Sequence, residues 1–337
     1  MNEKQSVTRR RSTGMKRMAR ALWYVRPGVA ELRTTAVPVP RDGEALVKTM
    51  FTGISRGTER LVLSGAVPEA EWGRMRAPMQ EGEFPYPVKY GYCAVGCVET
   101  GPQDLLGRTV FCLHPHQDWF VVPQSMLVPV PDGIPARRAT LAANMETALN
   151  ALWDSGAGPC DRIVVVGAGI VGLLVGYLAA RLPGADVTIL DIAEERRTLV
   201  ETLGARFETA PGVKGADAVF HSSATPQGLQ AAIDAAGFEA TVVEMSWYGE
   251  REVPVRLGGA FHSQRIKLIS SQVGQVSAGR RPRWTYQRRM QAALQLLRDD
   301  RLDGLVDQEI PFGDVATQVP RLLGPGVTGL APVISYA

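Results

Sequence analysis

The residues best suited to chemistry are three glycines that follow a β-branched run. The run is Val164–Val166, and the motif after it reads Gly167, Ala168, Gly169, Ile170, Val171 and Gly172. In this pattern the first glycine permits a tight turn, the second lets the backbone approach a pyrophosphate, and the third lets helix and strand pack closely. The N–H groups at the start of the helix then bind the phosphates. The motif predicts a dinucleotide-binding site.

An acidic residue lies at the distance that completes such a site. Asp191 closes the run Val187–Leu190 and lies 19 residues beyond Gly172. Its carboxylate would accept hydrogen bonds from the adenosine ribose and repel a 2′-phosphate, which favours NAD(H) over NADP(H). Arg196 and Arg197 follow closely and would soften that preference, so NADP(H) stays an alternative. The competing interpretation is a Rossmann-like domain that binds no dinucleotide.

The surrounding patterns predict the elements that position this site. Residues 20–140 carry short β-rich runs broken by Gly and Pro, which indicates a barrel-like β domain. Residues 145–275 alternate helical and strand patterns, which predicts a parallel sheet with helices on both faces. Residues 284–300 read as an amphipathic helix, and 331–336 as a strand. The fold class is therefore α/β. The uncharged segment 163–180 is explained by a buried strand, a Gly-rich turn and a buried helix, so we predict no membrane span.

Charge and cysteine content exclude several classes of function. The net charge of the 337-residue chain is +3, and seven basic residues lie within the first twenty positions. The remainder is mildly acidic, so we expect no nucleic-acid partner. Residues 1–15 have no apolar segment and predict a basic, disordered tail rather than a secretory signal. The four cysteines follow no disulfide pattern, which favours a reducing, cytoplasmic location.

The order of these regions resembles the medium-chain dehydrogenase/reductase superfamily, to which the alcohol, sorbitol and threonine dehydrogenases belong. The resemblance rests on the segments 51–59 (FTGISRGTE), 91–96 (GYCAVG), 130–133 (VPDG) and the glycine motif. It implies a GroES-like catalytic domain over 16–142, a doubly wound Rossmann domain over 143–280, and a segment 281–337 that returns to the catalytic domain. It also implies a homodimer. Segment 53–61 looks most like the bacteriochlorophyllide dehydrogenase branch.

The departures from the zinc-dependent members concern the metal ligands. Those members place Cys, His-Glu and Cys or Glu where this chain has Ser55, Tyr92-Cys93 and the apolar stretch Ala142-Ala143. A hydroxyl, a phenol and a lone thiol do not supply the tetrahedral N/S ligands that catalytic zinc requires. We therefore predict a zinc-free member. The alternative is a rearranged metal site made from Cys93, Glu59, His114 and His116, because His-x-His on a strand points both rings to one face.

Without zinc, hydrogen-bond donors must stabilise the charge that develops on oxygen. By analogy with the family we predict Tyr92 or His114 as the proton donor, Thr58 as a relay, Ser55 as a further hydroxyl, and Glu59 as the anchor of their loop. Each has a purely structural alternative. For Tyr92 that alternative is a side chain that fills the space occupied by the metal in zinc-dependent members. The family arrangement also places the nicotinamide near Ser246 and Ser271, and segment 64–90 reads as a substrate lid or an oligomer contact.

Together these observations predict a zinc-independent NAD(P)(H)-dependent oxidoreductase. Its substrate would be a carbonyl, an alcohol or a conjugated C=C of a sizeable, partly apolar small molecule, and its role would be biosynthetic. Two other interpretations stay open. One is a dinucleotide-binding sensor without turnover, and the other is a zinc-dependent alcohol dehydrogenase with a rearranged metal site.

Overall fold

Two β-sheets occupy the N-terminal part of the chain. The structure is a computed structural model and describes residues 17–336, so the predicted tail over 1–15 lies outside the described residues. The elements of this part are β1 (Met18–Arg26), β2 (Val29–Ala36), β3 (Glu44–Gly53), α1 (Arg56–Ser64), β4 (Glu81–Gly82), β5 (Val88–Lys89), β6 (Ala94–Thr100), β7 (Thr109–Cys112), β8 (Trp119–Pro123), β9 (Val128–Pro129) and α2 (Ala136–Ala139). One sheet has the order β2-β1-β5-β4, and the other is built on β3, β6 and β7.

A linking helix leads into a parallel sheet. The elements here are α3 (Ala142–Ser155), β10 (Arg162–Val166), α4 (Ile170–Ala179), β11 (Asp186–Leu190), α5 (Arg197–Leu203), β12 (Arg206–Glu208), β13 (Ala216–His221), α6 (Pro226–Ala235), β14 (Ala236–Glu244), α7 (Ala260–Ser263) and β15 (Lys267–Ser270). The strand order is β12-β11-β10-β13-β14-β15, and every pair is parallel. This is the doubly wound Rossmann order, whose ligand crevice lies at the carboxyl ends of β10 and β13, where the order reverses.

The C-terminal segment returns to the N-terminal sheet. It contains α8 (Tyr286–Leu296), β16 (Glu309–Pro311), α9 (Val315–Leu322) and β17 (Val333–Ser335). Strand β17 pairs antiparallel with β3, and β16 pairs with β17. Helix α8 packs on α3. The predicted α/β class with a GroES-like and a Rossmann part is confirmed, while the domain boundaries stay predictions.

Buried apolar side chains hold the strands in place. Strand β10 buries Ile163, Val164, Val165 and Val166 because helices cover both faces of the sheet. One hydrophobic cluster contains buried side chains of this sheet, of helices α3 and α8, and of strands β6 and β7 in the N-terminal part. Among the residues that the structure describes, no helix is long and apolar enough to cross a membrane.

Candidate functional site

The glycine turn has the shape that the motif predicts. Gly167 has φ +109°, and a Cβ at this position would lie 2.8 Å from the backbone nitrogen of Ser223. A Cβ on Gly172 would overlap the carbonyl oxygen of Gly167. Gly169 precedes α4 and has no neighbouring atom within 4 Å of its Cβ position. Gly167 and Gly172 are therefore required by close packing, whereas Gly169 borders open space.

Asp191 follows strand β11 and is hydrogen-bonded to this turn. One carboxylate oxygen accepts a hydrogen bond from the N–H of Ala168 (2.5 Å), and the other from the N–H of Ala193 (2.9 Å). Of the two predicted cations, Arg197 pairs with Glu194. Arg196 is partly buried, with no ion pair in the part of the chain that the structure describes. It lies near Arg56, whose pKa is lowered by burial and then by the charges of Arg60 and Arg196.

A polar cluster that the sequence analysis did not identify lies beside the turn. His221 and Glu244 are the last residues of β13 and β14 and lie opposite each other. His221 Nδ1 lies 2.7 Å from Glu244 Oε2, and its Nε2 lies 2.7 Å from Ser223 Oγ. The Tyr248 hydroxyl donates to the same carboxylate oxygen (3.1 Å). Hydrogen bonds from His221 and from Ser246 outweigh the effect of burial, so the pKa of the Glu244 carboxyl lies below its usual value.

The two serines predicted near the nicotinamide lie at the ends of neighbouring strands. The Ser246 N–H donates to Glu244 Oε1 (2.7 Å), and its Oγ accepts from the N–H of Ala224 (3.1 Å). The N–H of Ser271 donates to the Glu244 carbonyl. However, the Ser271 hydroxyl donates to Asp154 at the end of α3 (2.7 Å). Ser246 therefore belongs to the cluster around His221, while the Ser271 side chain is engaged by the linking helix.

A second buried network supports the loop that carries Ser55. The Ser55 N–H donates to Glu59 Oε1 (2.7 Å), and the Tyr24 hydroxyl donates to Glu59 Oε2 (2.6 Å). His116 Nε2 lies 3.0 Å from the same oxygen, and its Nδ1 lies 2.7 Å from Thr52 Oγ1. Glu59 and the histidine are fully buried. Glu59 therefore ties the first turn of α1 to β1 and to the loop before β8.

Tyr92, Ser55 and Thr58 lie together in the N-terminal part of the chain. Burial raises the pKa of Tyr92 well above its usual value, and the hydroxyls of Ser55 and Thr58 lower it in part. The neighbouring Cys93 is buried, which raises the pKa of its thiol, and the charges of Glu59 and of Glu146 on α3 add to the effect. At neutral pH this side of the site presents a neutral phenol, two hydroxyls and a thiol.

His114 lies apart from these groups. Its ring stacks on Phe120 with a centroid separation of 3.9 Å, and its Nδ1 lies 2.9 Å from the Pro115 carbonyl. Burial lowers its pKa to about 3, so the ring is neutral at physiological pH. The alternative in which His114 and His116 present both rings on one face of a strand is wrong. Strand β7 ends at Cys112, and the two rings enter different environments around Pro115.

The segment predicted as a lid packs largely onto its own domain. Phe84 is buried, and Trp72, Met75 and Tyr86 pack against the hydrophobic cluster of the N-terminal domain, while Met79 is exposed. Trp247, in the loop after β14, packs against the same cluster from the Rossmann side. Trp247 therefore contacts the N-terminal part of the chain, while the role of segment 64–90 as a substrate lid or an oligomer contact stays a prediction.

Comparison with known proteins identifies the architecture. No family model matches the chain. The L-idonate 5-dehydrogenase structure from Escherichia coli superposes with a TM-score of 0.78 at 15% identity, covering 95% of this chain and 99% of that one. The fold is that of the medium-chain dehydrogenase/reductase superfamily. A candidate zinc-binding dehydrogenase from Sinorhizobium meliloti 1021 with NADP bound gives 0.76 at 16% identity, covering 95% and 100%.

Sequence comparison agrees with this architecture. L-galactonate-5-dehydrogenase of Escherichia coli K12 is 27% identical over 229 residues, covering 60% of this chain and 64% of the relative. The first curated relatives are matched over 59–64% of their length. The predicted resemblance to the alcohol dehydrogenase-like, medium-chain dehydrogenase/reductase superfamily is supported, while the zinc-free status and the bacteriochlorophyllide dehydrogenase branch stay predictions. The chain is therefore similar to dehydrogenases both in fold and in part of its sequence.

Since two of these relatives are described as zinc-type, the donor atoms must be tested against zinc. Within residues 17–336 no three His, Cys, Asp or Glu side chains form a metal-binding group. Glu59 and His116 bond each other as well as Tyr24 and Thr52. The donor atoms within residues 17–336 therefore do not fit a catalytic zinc.

Proposed function

We propose that this chain is a zinc-free oxidoreductase that transfers hydride between NAD(P)(H) and a carbonyl, an alcohol or a conjugated C=C. The observation that carries the proposal is the closed glycine turn, in which the Asp191 carboxylate is bonded to the Ala168 N–H at the switch point of the sheet. The segment 167–172 and Asp191 would hold the dinucleotide, which supplies the hydride-accepting ring. The carboxylate favours NAD(H), while Arg196 leaves NADP(H) as a second cofactor.

The chain's own residues would stabilise the charge on the substrate oxygen. Because burial keeps Tyr92 protonated, its phenol can donate a hydrogen bond throughout the physiological pH range. Ser55 and Thr58 add hydroxyls beside it, and Glu59 fixes their loop through the Ser55 N–H. His114 at neutral pH is a hydrogen-bonding group rather than an acid. We therefore propose Tyr92 as the principal donor. A sizeable, partly apolar substrate and a biosynthetic role stay part of the proposal.

The test combines metal analysis with cofactor titration. Purified protein is analysed by plasma mass spectrometry, and NADH and NADPH are titrated by tryptophan fluorescence. Near-zero zinc with tighter binding of NADH supports the proposal, and turnover is then sought with alcohols, carbonyls and conjugated enones. Stoichiometric zinc would overturn the zinc-free mechanism. Cofactor binding without turnover on any class would favour the sensor.

We also propose a homodimer joined through the sheet edge. Among the residues that the structure describes, strand β15 ends the six-stranded sheet and pairs with β14 alone. Leu268 on this strand is 39% exposed. An unpaired edge with an exposed apolar side chain can pair with a second copy. Light scattering after size-exclusion chromatography of the full chain checks this, and a monomer mass at micromolar concentration would contradict it.

A further inference from the structure

A cavity of about 210 Å³ lies where the C-terminal segment returns to the N-terminal sheets. Its walls come from β1, β3, the start of β8 and the C-terminal strands β16 and β17. No residue of the glycine turn and none of the group Ser55, Thr58 and Tyr92 lines it. Sites for drug-sized ligands measure about 300–1,000 Å³, so an occupant of this cavity must be small.

The walls of this cavity are held in place by the protein itself. Tyr336 follows β17, which pairs with β3, and its hydroxyl lies 3.1 Å from that of Thr52, a member of the network around Glu59. Thr49 is buried, and its hydroxyl donates to a carbonyl in the loop before β8 (2.5 Å). Phe312 is buried and packs on the Tyr336 ring with a centroid separation of 4.3 Å. The cavity is therefore preformed, as ligand pockets usually are.

The charged side chains of the lining carry an excess of positive charge. Asp118 is engaged by Arg20, whose backbone N–H donates to Oδ1 (2.8 Å) and whose Nε lies 3.4 Å from Oδ2. The Lys48 ammonium has neither a hydrogen bond nor an ion pair within residues 17–336, and it lies 5.7 Å from the centre of the Trp119 ring. At that distance the ring attracts the ammonium. Two cations against one carboxylate leave one positive charge in excess.

Aromatic side chains supply the apolar part of the lining. The rings of Trp119, Phe312 and Tyr336 border the cavity. Guanidinium groups lie over two of these rings, that of Arg20 at 5.1 Å from the centre of Phe312 and that of Arg17 at 3.8 Å from the centre of Trp119. The lining therefore combines apolar rings with positive charge, which is complementary to an apolar molecule that carries one negative charge.

We propose that this cavity binds a small organic monoanion, a carboxylate on a flat, apolar body. The carboxylate accepts a charge-assisted hydrogen bond from Lys48, and the body lies against the rings of Trp119 and Phe312. An inorganic anion would leave the rings without a partner, and a neutral ring would leave the ammonium without one. The inference goes beyond the proposed function and does not depend on it.

Benzoate is the probe for this site. It is titrated into the full chain without cofactor at pH 7.5, in Tris buffer, and followed by ligand-observed NMR. Benzamide has nearly the same shape without the charge, and acetate has the charge without the ring. We expect benzoate to bind with a dissociation constant on the order of 1 mM, a value in keeping with its size. Benzamide and acetate should each bind at least about fivefold more weakly.

Two substitutions with opposite effects test the charge of the lining. Lys48→Gln should weaken benzoate binding at least about fivefold, because it removes the cation without a partner. Asp118→Asn should tighten binding about twofold, because it removes the acid and keeps an acceptor for the Arg20 N–H. The matched control Lys214→Gln replaces an exposed lysine in the loop between β12 and β13 and should behave as wild type.

Several results would overturn the proposal. They are the absence of benzoate binding up to about 10 mM, equal binding of benzamide, and wild-type affinity in Lys48→Gln. Binding that is lost in Tyr92→Phe and kept in Lys48→Gln places benzoate in the cleft instead and also overturns it. Circular dichroism shows whether each variant is folded. If Lys48→Gln is unfolded, Asp118→Asn decides, and unchanged or weaker binding in that variant contradicts the proposal.

Discussion

Replacing Arg289 with Met should destabilise the protein strongly, and more so at high pH. Arg289 lies on α8 and is 2% exposed. Its guanidinium donates to Glu146 Oε1 (3.0 Å) and Asn150 Oδ1 (2.6 Å), both on α3, and to the carbonyls of Gln275 (3.1 Å) and Val273 (2.5 Å) in the segment after β15. Removing one member of a buried ion pair leaves the other uncompensated. We expect a loss of about 3–5 kcal/mol in the free energy of unfolding.

The pH dependence follows from the carboxyl that is left behind. Burial raises the pKa of Glu146, and the charge and hydrogen bond of Arg289 oppose this. A carboxyl whose folded pKa lies above its unfolded value binds its proton more tightly in the folded state. It therefore destabilises the fold as pH rises through that interval. Without Arg289 the folded pKa rises further, so Arg289→Met should lose more stability at pH 8 than at pH 5.

Urea denaturation followed by tryptophan fluorescence at both pH values measures these losses. Adding Glu146→Gln to Arg289→Met removes the unpaired charge and should recover about 1–2 kcal/mol at pH 8. The matched control is Arg288→Met, the exposed neighbour on the same helix, which should change stability by about 0.5 kcal/mol or less. Equal losses at the two pH values, with no recovery in the double variant, would refute the reasoning.

Four further predictions concern the cofactor turn and His114. Gly172→Ala should weaken NADH binding at least about tenfold because its Cβ overlaps the Gly167 carbonyl. Gly169→Ala should fold normally and still weaken NADH binding, since its Cβ enters open space beside the turn; unchanged affinity in fluorescence titrations would place the pyrophosphate elsewhere. Asp191→Ala should raise the ratio of NADPH to NADH affinity about tenfold, and an unchanged ratio would contradict its role in ribose recognition. Burial lowers the pKa of the His114 ring to about 3 in the folded protein. As pH falls below about 6.5, the ring becomes protonated in the unfolded chain but stays neutral in the fold, so the free energy of unfolding should decrease. His114→Gln should lose less stability than wild type between pH 7.5 and 4.5 in urea denaturation.

The parallel sheet could be predicted because its strands are continuous apolar runs. Within the uncharged segment 163–180 the sequence predicts a buried strand, a Gly-rich turn and a buried helix, and the structure has strand β10 at Arg162–Val166 and helix α4 at Ile170–Ala179. A strand buried on both faces leaves little choice of residue, so its pattern is unambiguous. The His-Pro-His segment was assigned wrongly because proline lacks the N–H that a strand ladder requires, and β7 ends before it.

The candidate site was less accessible from the sequence because its contacts join distant segments. Glu59 and His116 are 57 residues apart and meet only when β1, α1 and the loop before β8 pack together. Arg289 lies on the buried face of an amphipathic helix, where the charge pattern predicts exposure. The proximity of His221 and Glu244, however, could have been predicted from the sequence. Both end predicted parallel strands, and such ends meet at one edge of the sheet.

The titratable groups on one side of the cleft do not change charge near neutral pH. On the catalytic-domain side burial raises the pKa values of Tyr92 and Cys93 and lowers that of His114, so all three stay neutral around physiological pH. Neutral donors can stabilise a developing oxyanion, but they cannot retain a proton. A zinc-free hydride transfer requires both functions, since oxidation of an alcohol releases a proton as well as a hydride. Of these two functions Tyr92 can provide the first, because its buried phenol stays protonated and can donate a hydrogen bond.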